Sequence, residues 1–112
     1  MDIKKLYGEV AAFCGEMPLY AFLAYIDCFA RYVINRYGKA YTVVNGEYTK
    51  PLTLDDAFSV DASYRGALFY FVLGEYTGDE KLLKRSYEYA SDAAKALRKA
   101  NFGVRKIINE VW

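Results

Sequence analysis

Four stretches of this chain repeat an apolar residue every three or four positions, which is the spacing of one face of an α-helix. Residues that suit helix ends separate the stretches: Gly15, Pro18, Gly38 and Gly78. The pattern predicts helices over residues 2–14, 18–37, 62–77 and 80–100. Because 112 residues can build one compact core, we predict an all-α domain at residues 1–101. It is a small bundle of four main helices with one inserted β-hairpin and a C-terminal arm.

The second predicted helix is apolar on two faces, since the face opposite its main stripe carries few charges besides Asp27 and Arg31. A helix that is apolar all round is covered on both sides. The chain also contains twelve tyrosines, and tyrosine is enriched where subunits meet. We therefore predict a subunit interface at four aromatic residues of this helix: Tyr20, Tyr25, Phe29 and Tyr32.

Between Ala40 and Thr49 the spacing changes from that of a helix to that of a strand, around an Asn45-Gly46 pair. Asn-Gly flanked by β-branched and aromatic residues favours a hairpin turn with positive φ at both positions. We predict a β-hairpin at about residues 40–50. An isolated hairpin is only marginally stable, so it packs on its own helices or on a neighbouring chain. The residues predicted to bind a partner here are Tyr41, Val43, Val44, Asn45, Gly46 and Tyr48.

The last eleven residues, 102–112, form an apolar segment that ends on the only tryptophan. We expect Asn101-Phe102-Gly103 to break the preceding helix, leaving a short helix or an extended arm. The segment either folds back over its own bundle or docks on another protein, in a groove or as an added strand. The residues predicted to bind a partner here are Phe102, Val104, Ile107, Ile108, Val111 and Trp112.

Residue types that carry catalysis are scarce. The sequence has no histidine, so its serines and its two cysteines lack the usual general base, and its scattered glycines form no phosphate-binding loop. Acid-base chemistry has four candidate carboxylates, of which the aspartates precede helices and are better explained as caps: Asp55, Asp56, Asp61 and Glu75. We predict a protein that is not an enzyme and that has no cofactor and no metal site.

The formal charge of +1 provides no strong field for collecting nucleic acid, so dedicated nucleic-acid binding is not expected. A weak pattern of basic and aromatic residues does surround the predicted hairpin, and it is typical either of single-strand binding or of an ordinary solvated surface. Its basic members are Arg31, Arg36, Lys39 and Lys50, with Tyr32, Tyr37, Tyr41 and Tyr48 between them.

The two cysteines, Cys14 and Cys28, lack a metal-binding spacing, and we expect buried thiols in a reducing cytosol. The first residues mix acids into their apolar patch and do not resemble a secretory signal. The longest apolar run, residues 19–26, is far too short to cross a bilayer. We therefore expect a soluble protein that does not bind a membrane.

Taken in order, the parts of residues 2–101 resemble the head-to-tail connector proteins of tailed bacteriophages, also called portal adaptor or head completion proteins. Two N-terminal helices come first, then the β-prone segment YTVVNGEYTKP and the acidic stretch Leu54-Asp55-Asp56. An apolar helix with Tyr64 and Ala67 follows, then a Gly78-Asp79 break and a final amphipathic helix with Tyr87, Ala90 and Leu97.

This resemblance implies a structural virion protein located in the neck between head and tail and assembled in the bacterial cytoplasm. Its homo-oligomeric ring, usually twelvefold, lies beneath the portal protein and contacts tail or neck proteins. The ring extends the channel through which DNA passes without sequence-specific binding. The C-terminal arm, residues 102–112 here, inserts into the portal. This chain departs from the family pattern because it is nearly neutral, so it is not expected to form a channel wall that strongly attracts DNA.

One alternative explanation fits the same features. A small helical regulatory or chaperone-like protein could bind a single partner through the apolar C-terminal tail. Such a protein would be a monomer or a dimer, whereas a connector would form higher rings.

Overall fold

The computed structural model describes the backbone of residues 1–111 and the side chains of residues 1–100. This backbone contains four helices: α1 (Ile3–Cys14), α2 (Leu19–Tyr37), α3 (Arg65–Thr77) and α4 (Glu80–Val111). Two short 3₁₀ turns, Lys39–Tyr41 and Ala62–Tyr64, precede and follow the long connection between α2 and α3. The prediction of an all-α fold with four main helices is confirmed.

Local sequence signals set the helix ends. The carboxylate of Asp2 accepts a hydrogen bond from the backbone N–H of Lys5 and caps α1, and Pro18 directly precedes α2. Gly38 ends α2 with a φ of 86°, and its N–H donates to the carbonyl of Ile34. A glycine reaches this conformation without the clash that a Cβ would cause, so the predicted end of α2 has a physical basis.

Helix α3 lies at the centre of the bundle and contacts each of the other three helices, most closely α4. At this contact the backbone of Gly74 lies directly against Leu83, and the buried hydroxyl of Ser86 donates to the carbonyl of Ala67 over 2.6 Å. The core around α3 contains Phe22, Ile26, Phe29, Val33, Tyr64, Leu68, Phe71 and Val72. Small residues on α4, including Ala90 and Ala94, allow the two helices to approach.

The predicted β-hairpin at residues 40–50 is wrong. The described backbone has no strand, and Val43 instead forms a single antiparallel bridge with Val60. Two backbone hydrogen bonds of 2.8 Å join the segments, from the N–H of Val44 to the carbonyl of Ser59 and from the N–H of Asp61 to that of Thr42. The chain therefore pairs with a distant segment and not with its own next residues.

The physical reason for this difference lies in the environment of Tyr48. Its hydroxyl donates to the carboxylate of Asp27 on α2, and its ring packs edge-on against Phe58. Asn45 and Gly46 do have the positive φ values of the predicted turn, 60° and 75°. After this turn, however, the contacts of Tyr48 with Asp27 and Phe58 hold the chain against α2, so it does not pair with residues 41–44.

Helix α4 continues through Asn101-Phe102-Gly103 to Val111, so the predicted break there is wrong. One glycine within a long helix costs only about 1 kcal/mol, which a continuous helix tolerates. The 32 residues of α4 span about 48 Å, whereas the 13 residues of α3 span about 20 Å. Helix α3 can therefore lie beside only the first part of α4.

The predicted contacts of the C-terminal arm lie outside the described side chains. They are those of Phe102, Val104, Ile107, Ile108, Val111 and Trp112. Of the two cysteines, Cys14 is half-buried and Cys28 is exposed, which contradicts the prediction that both are buried. In the described backbone no single helix is long and apolar enough to cross a membrane, and α1 and α2 meet that criterion only as a pair bent by 113°.

Candidate interaction surfaces

A row of four aromatic rings crosses the surface formed by α1, α3 and α4. Phe13 meets Phe69 at 5.3 Å between ring centroids, Phe69 meets Tyr70 at 5.6 Å, and Tyr70 meets Tyr89 at 5.3 Å. The guanidinium of Arg85 lies 5.3 Å from the centre of the Tyr70 ring, within range of a cation–π interaction. We call these four residues the aromatic row.

The members of the aromatic row differ in exposure. Phe69 and Tyr70 follow the buried Leu68 on α3 and are half-buried, and Phe69 packs against the core. The Tyr89 ring lies over Gly66, where an added Cβ would be 3.5 Å from the ring, an ordinary van der Waals contact. Phe13, in the last turn of α1, keeps 75% of its surface exposed.

A second apolar surface lies between α2 and the connection to α3. Tyr20, Leu23 and Ala24 of α2 face Lys50, Pro51 and Leu52 across an open cleft of about 210 Å³. Tyr20 is 79% exposed and Leu52 is 74% exposed, at the rim of this cleft. We call it the Tyr20–Leu52 cleft.

The loop side of this cleft is held by Asp56. Its carboxylate accepts hydrogen bonds from the backbone N–H groups of Leu52 and Thr53, over 2.8 and 2.9 Å. These bonds keep the pKa of Asp56 below its ordinary value. Residues 53–56 form a hydrogen-bonded turn outside any helix. Its effect is to present the side chain of Leu52 to solvent.

A buried carboxylate attaches the same connection to α2. Asp27, only 9% exposed, accepts hydrogen bonds from the hydroxyl of Tyr48 over 2.6 Å and from Nε of Arg31 over 3.0 Å. Burial alone would raise the pKa of Asp27, but these two bonds and the charges of Arg31 and Lys50 together lower it. For Tyr48, burial and the hydrogen bond to the carboxylate raise the pKa of the hydroxyl. Asp27 is therefore charged and Tyr48 neutral around neutral pH.

The four residues predicted to form a subunit interface do not share one environment. Tyr20 is exposed, whereas Tyr25 and Tyr32 are half-buried, and the ring of Tyr32 packs 5.2 Å from that of Tyr87 on α4. Phe29 is completely buried between Tyr64 and Phe71. Phe29 therefore belongs to the core of its own domain, and Tyr20 is the residue of this set most accessible to another subunit.

The residues of the predicted hairpin separate in a similar way. Val44, Asn45 and Gly46 are exposed at a turn, while Val43 is buried at its bridge with Val60. Two more members are half-buried, Tyr41 beneath Arg98 and Tyr48 against α2. Phe13, Tyr89 and Leu52 are surface residues that were not predicted from the sequence. Leu52, next to a proline within a polar stretch, carried the clearest signal of exposure.

The acids considered for catalysis have structural contacts. The carboxylate of Asp61 accepts from the N–H of Ser63 and caps the 3₁₀ turn before α3, and Asp55 lies 3.8 Å from the ammonium of Lys4. Glu75 is exposed on the last turns of α3. The larger surface depression lies between α1 and α2, where Glu16 is the acid among its lining residues.

The side chains described here include no group of three or more histidine, cysteine, aspartate or glutamate residues that could hold a metal ion. The sequence matches no protein-family model and no curated protein, and the fold matches no solved structure.

Proposed function

We propose that this chain is a non-enzymatic structural subunit that forms a ring between the portal and the tail of a tailed bacteriophage and extends the DNA channel. The observation that carries the proposal is the presence of two apolar surfaces built from different elements. The aromatic row belongs to α1, α3 and α4, whereas the Tyr20–Leu52 cleft belongs to α2 and the loop after it.

Two different apolar surfaces are what a ring requires. In a ring each subunit contacts its neighbours through two distinct patches, so that one patch of a subunit meets the other patch of the next. Exposed aromatic residues such as Phe13 and Tyr20 are costly in a monomer but serve as central contacts in an interface. In our proposal the aromatic row of one copy packs into the Tyr20–Leu52 cleft of its neighbour.

The C-terminal part of α4 supplies the contact with the portal. Residues 101–111 continue the helix beyond the length that α3 can cover. The sequence repeats apolar residues there at helical spacing, at Val104, Ile108 and Val111. A helix with such a stripe binds in a groove of a partner. We propose that residues 102–112 insert into the portal, while neck or tail proteins bind the opposite side of the ring.

Two single variants test the ring, Phe13→Ser in the aromatic row and Tyr20→Ser in the cleft. Each variant loses one of the two patches, so neither forms rings by itself. An equimolar mixture forms heterodimers and no larger species, because each copy still offers the patch that the other has lost. Native mass spectrometry without portal protein measures the species formed, because both variants keep residues 102–112 and would otherwise also bind portal rings.

Tyr76→Ser is the matched control, since Tyr76 is 38% exposed and belongs to neither surface. This variant keeps the assembly of the unchanged chain. Rings formed by both surface variants, or mixtures that remain monomeric, would contradict the proposed pairing of patches.

Deletion of residues 102–112 tests the portal contact. The shortened chain keeps its helical domain, as measured by circular dichroism, but no longer co-sediments with portal rings. Unchanged co-sedimentation would refute the role of the segment. A full-length chain that stays monomeric or dimeric and binds one other protein through this segment would favour the regulatory alternative.

A further inference from the structure

Five basic side chains gather at one end of the bundle, where α2 finishes, the first 3₁₀ turn follows and α4 passes beside that turn. We call this group the basic end. It consists of Arg36 on α2, Lys39 in the 3₁₀ turn, and Lys95, Arg98 and Lys99 on α4. All five side chains are exposed. The nearly neutral charge of the whole chain concealed this local excess.

The fold brings the two halves of the basic end together. The 3₁₀ turn Lys39–Tyr41 contacts α4, and the guanidinium of Arg98 lies 5.4 Å from the centre of the Tyr41 ring. Lys95 precedes Arg98 by three residues and Lys99 by four, so these three side chains share one face of α4. Because Arg98 lies over Tyr41, this face of α4 is turned toward the 3₁₀ turn that contains Lys39.

Ion pairs between described side chains leave this group unneutralised. Among the described side chains the ion pairs involve other cations, namely Lys4, Arg31 and Arg65. The nearby carboxylate of Asp61 is engaged by both the N–H and the hydroxyl of Ser63. Asp92, one turn before Lys95 on α4, takes part in none of the ion pairs between described side chains. The basic end therefore keeps a net positive charge.

We propose that the basic end binds the phosphate backbone of duplex DNA without reading its sequence. Several exposed cations on one surface match the regular charges of a duplex backbone. An acidic protein partner fits less well, because protein interfaces also use exposed aromatic or apolar residues. Most of the large apolar side chains exposed in the described chain lie elsewhere, for example Phe13, Tyr20, Leu52 and Tyr89, and only Val44 and Tyr87 of this exposed set lie close to the basic end.

The same surface favours a duplex over a single strand. Single-strand binding depends on aromatic rings that are free to stack on bases. Here Arg98 lies over the ring of Tyr41, and Tyr37 is half-buried. All five cations can still contact phosphates, whereas the rings of Tyr41 and Tyr37 are not free to stack on bases.

Binding by one copy is weak. Each neutralised phosphate contributes a slope of about −0.9 to the logarithm of affinity against that of salt concentration. Several copies that present the same surface to one duplex raise the apparent affinity without any new type of contact. The inference goes beyond the proposed ring and does not depend on it, since a single copy carries the complete basic end.

The test measures binding of the full-length chain to a fluorescent duplex of mixed sequence, between about 50 and 200 mM salt. The variant Lys39→Gln/Lys95→Gln/Lys99→Gln removes three cations of the basic end. The control Lys5→Gln/Lys81→Gln/Lys84→Gln removes three exposed lysines elsewhere and leaves the chain with the same net charge. Circular dichroism checks that both variants are folded.

We expect the basic-end variant to bind at least tenfold more weakly than the control at low salt, with a salt slope smaller by about 3. Equal losses in the two variants would overturn the proposal, as would an unchanged chain that does not bind duplex. Stronger competition by polyglutamate than by unlabelled duplex would instead identify an acidic protein as the partner. Sedimentation velocity of the same samples reports ring formation separately, so a chain that binds DNA but forms no ring contradicts only the proposed function.

Discussion

The hydroxyl of Tyr48 donates a 2.6 Å hydrogen bond to a carboxylate oxygen of Asp27, across 21 residues of sequence. The bond joins the connection between α2 and α3 to the middle of α2. Arg31 holds the other carboxylate oxygen, so both oxygens of a nearly buried acid have partners. A satisfied buried carboxylate of this kind fixes one position of the connection, because any other position leaves the charge without its donors.

Replacing Tyr48 by phenylalanine should lower the free energy of unfolding by about 1–3 kcal/mol, since a hydrogen bond to a charged group is lost and the ring remains. Urea denaturation followed by circular dichroism measures the change. Tyr20→Phe is the control, because the hydroxyl of Tyr20 lies on a side chain that is 79% exposed. Equal stabilities of the two variants would contradict a structural role for the bond.

The lowered pKa of Asp27 predicts how stability depends on acid. In the unfolded chain this group titrates near 3.8, and in the folded chain it titrates at a lower pH. Its contribution is therefore fully present above the unfolded value and is lost as the pH falls through the folded value. Asp27→Asn should be less stable than the unchanged chain at neutral pH, and the difference should shrink below pH 4. A difference that stays constant from pH 7 to pH 2 would refute this assignment.

Alkaline pH should act through Tyr64. Burial, helped by nearby Tyr37 and Asp61, raises the pKa of its hydroxyl from 10.0 to about 12, and the hydroxyl donates to the carbonyl of Tyr41. A folded pKa above the unfolded one means that the contribution is present below pH 10 and is lost as the pH rises toward 12. Unfolding free energies measured from pH 8 to pH 11 should fall less steeply for Tyr64→Phe than for the unchanged chain.

Gly74 allows the close contact of α3 and α4. A Cβ at this position would lie 2.8 Å from Cγ of Leu83 and 3.0 Å from its backbone nitrogen. Gly74→Ala should therefore destabilise the fold by about 1–3 kcal/mol. Gly8→Ala in α1 is the control, since nothing lies within 4 Å of its added Cβ, and it should stabilise by about 0.5–1 kcal/mol. The midpoint temperature of thermal unfolding should fall for Gly74→Ala and rise for Gly8→Ala.

The helix positions were predictable because their signals are local. Asp2, Pro18, Gly38 and Gly78 act within one turn of the helix end that they define. The hairpin was not predictable by the same means. Its Asn45-Gly46 turn forms as expected, but the pairing of the next residues depends on contacts with Asp27 and Phe58, which are distant in sequence. Local preference gives way to tertiary contacts in such a case.

The candidate surfaces show the same limit. Tyr20 was recognised because it lies opposite the buried stripe of α2. Phe13 follows the buried Leu6 and Val10 of α1 at helical spacing, but it is exposed because α1 ends one residue later. Periodicity predicts which side of a helix is buried, but it does not predict how far along the helix the buried contacts extend. For the same reason the basic end was seen only in part, since its α4 members are far in sequence from Arg36 and Lys39.

The single bridge between Val43 and Val60 has a practical consequence for labelling. It closes the sixteen residues between these two valines into a loop whose ends are held together by main-chain hydrogen bonds, while Asn45 and Gly46 stay exposed in a turn directly after the bridge. An epitope or a fluorescent tag inserted between those two residues would lengthen a loop whose ends are already held together, and it would leave the helices undisturbed.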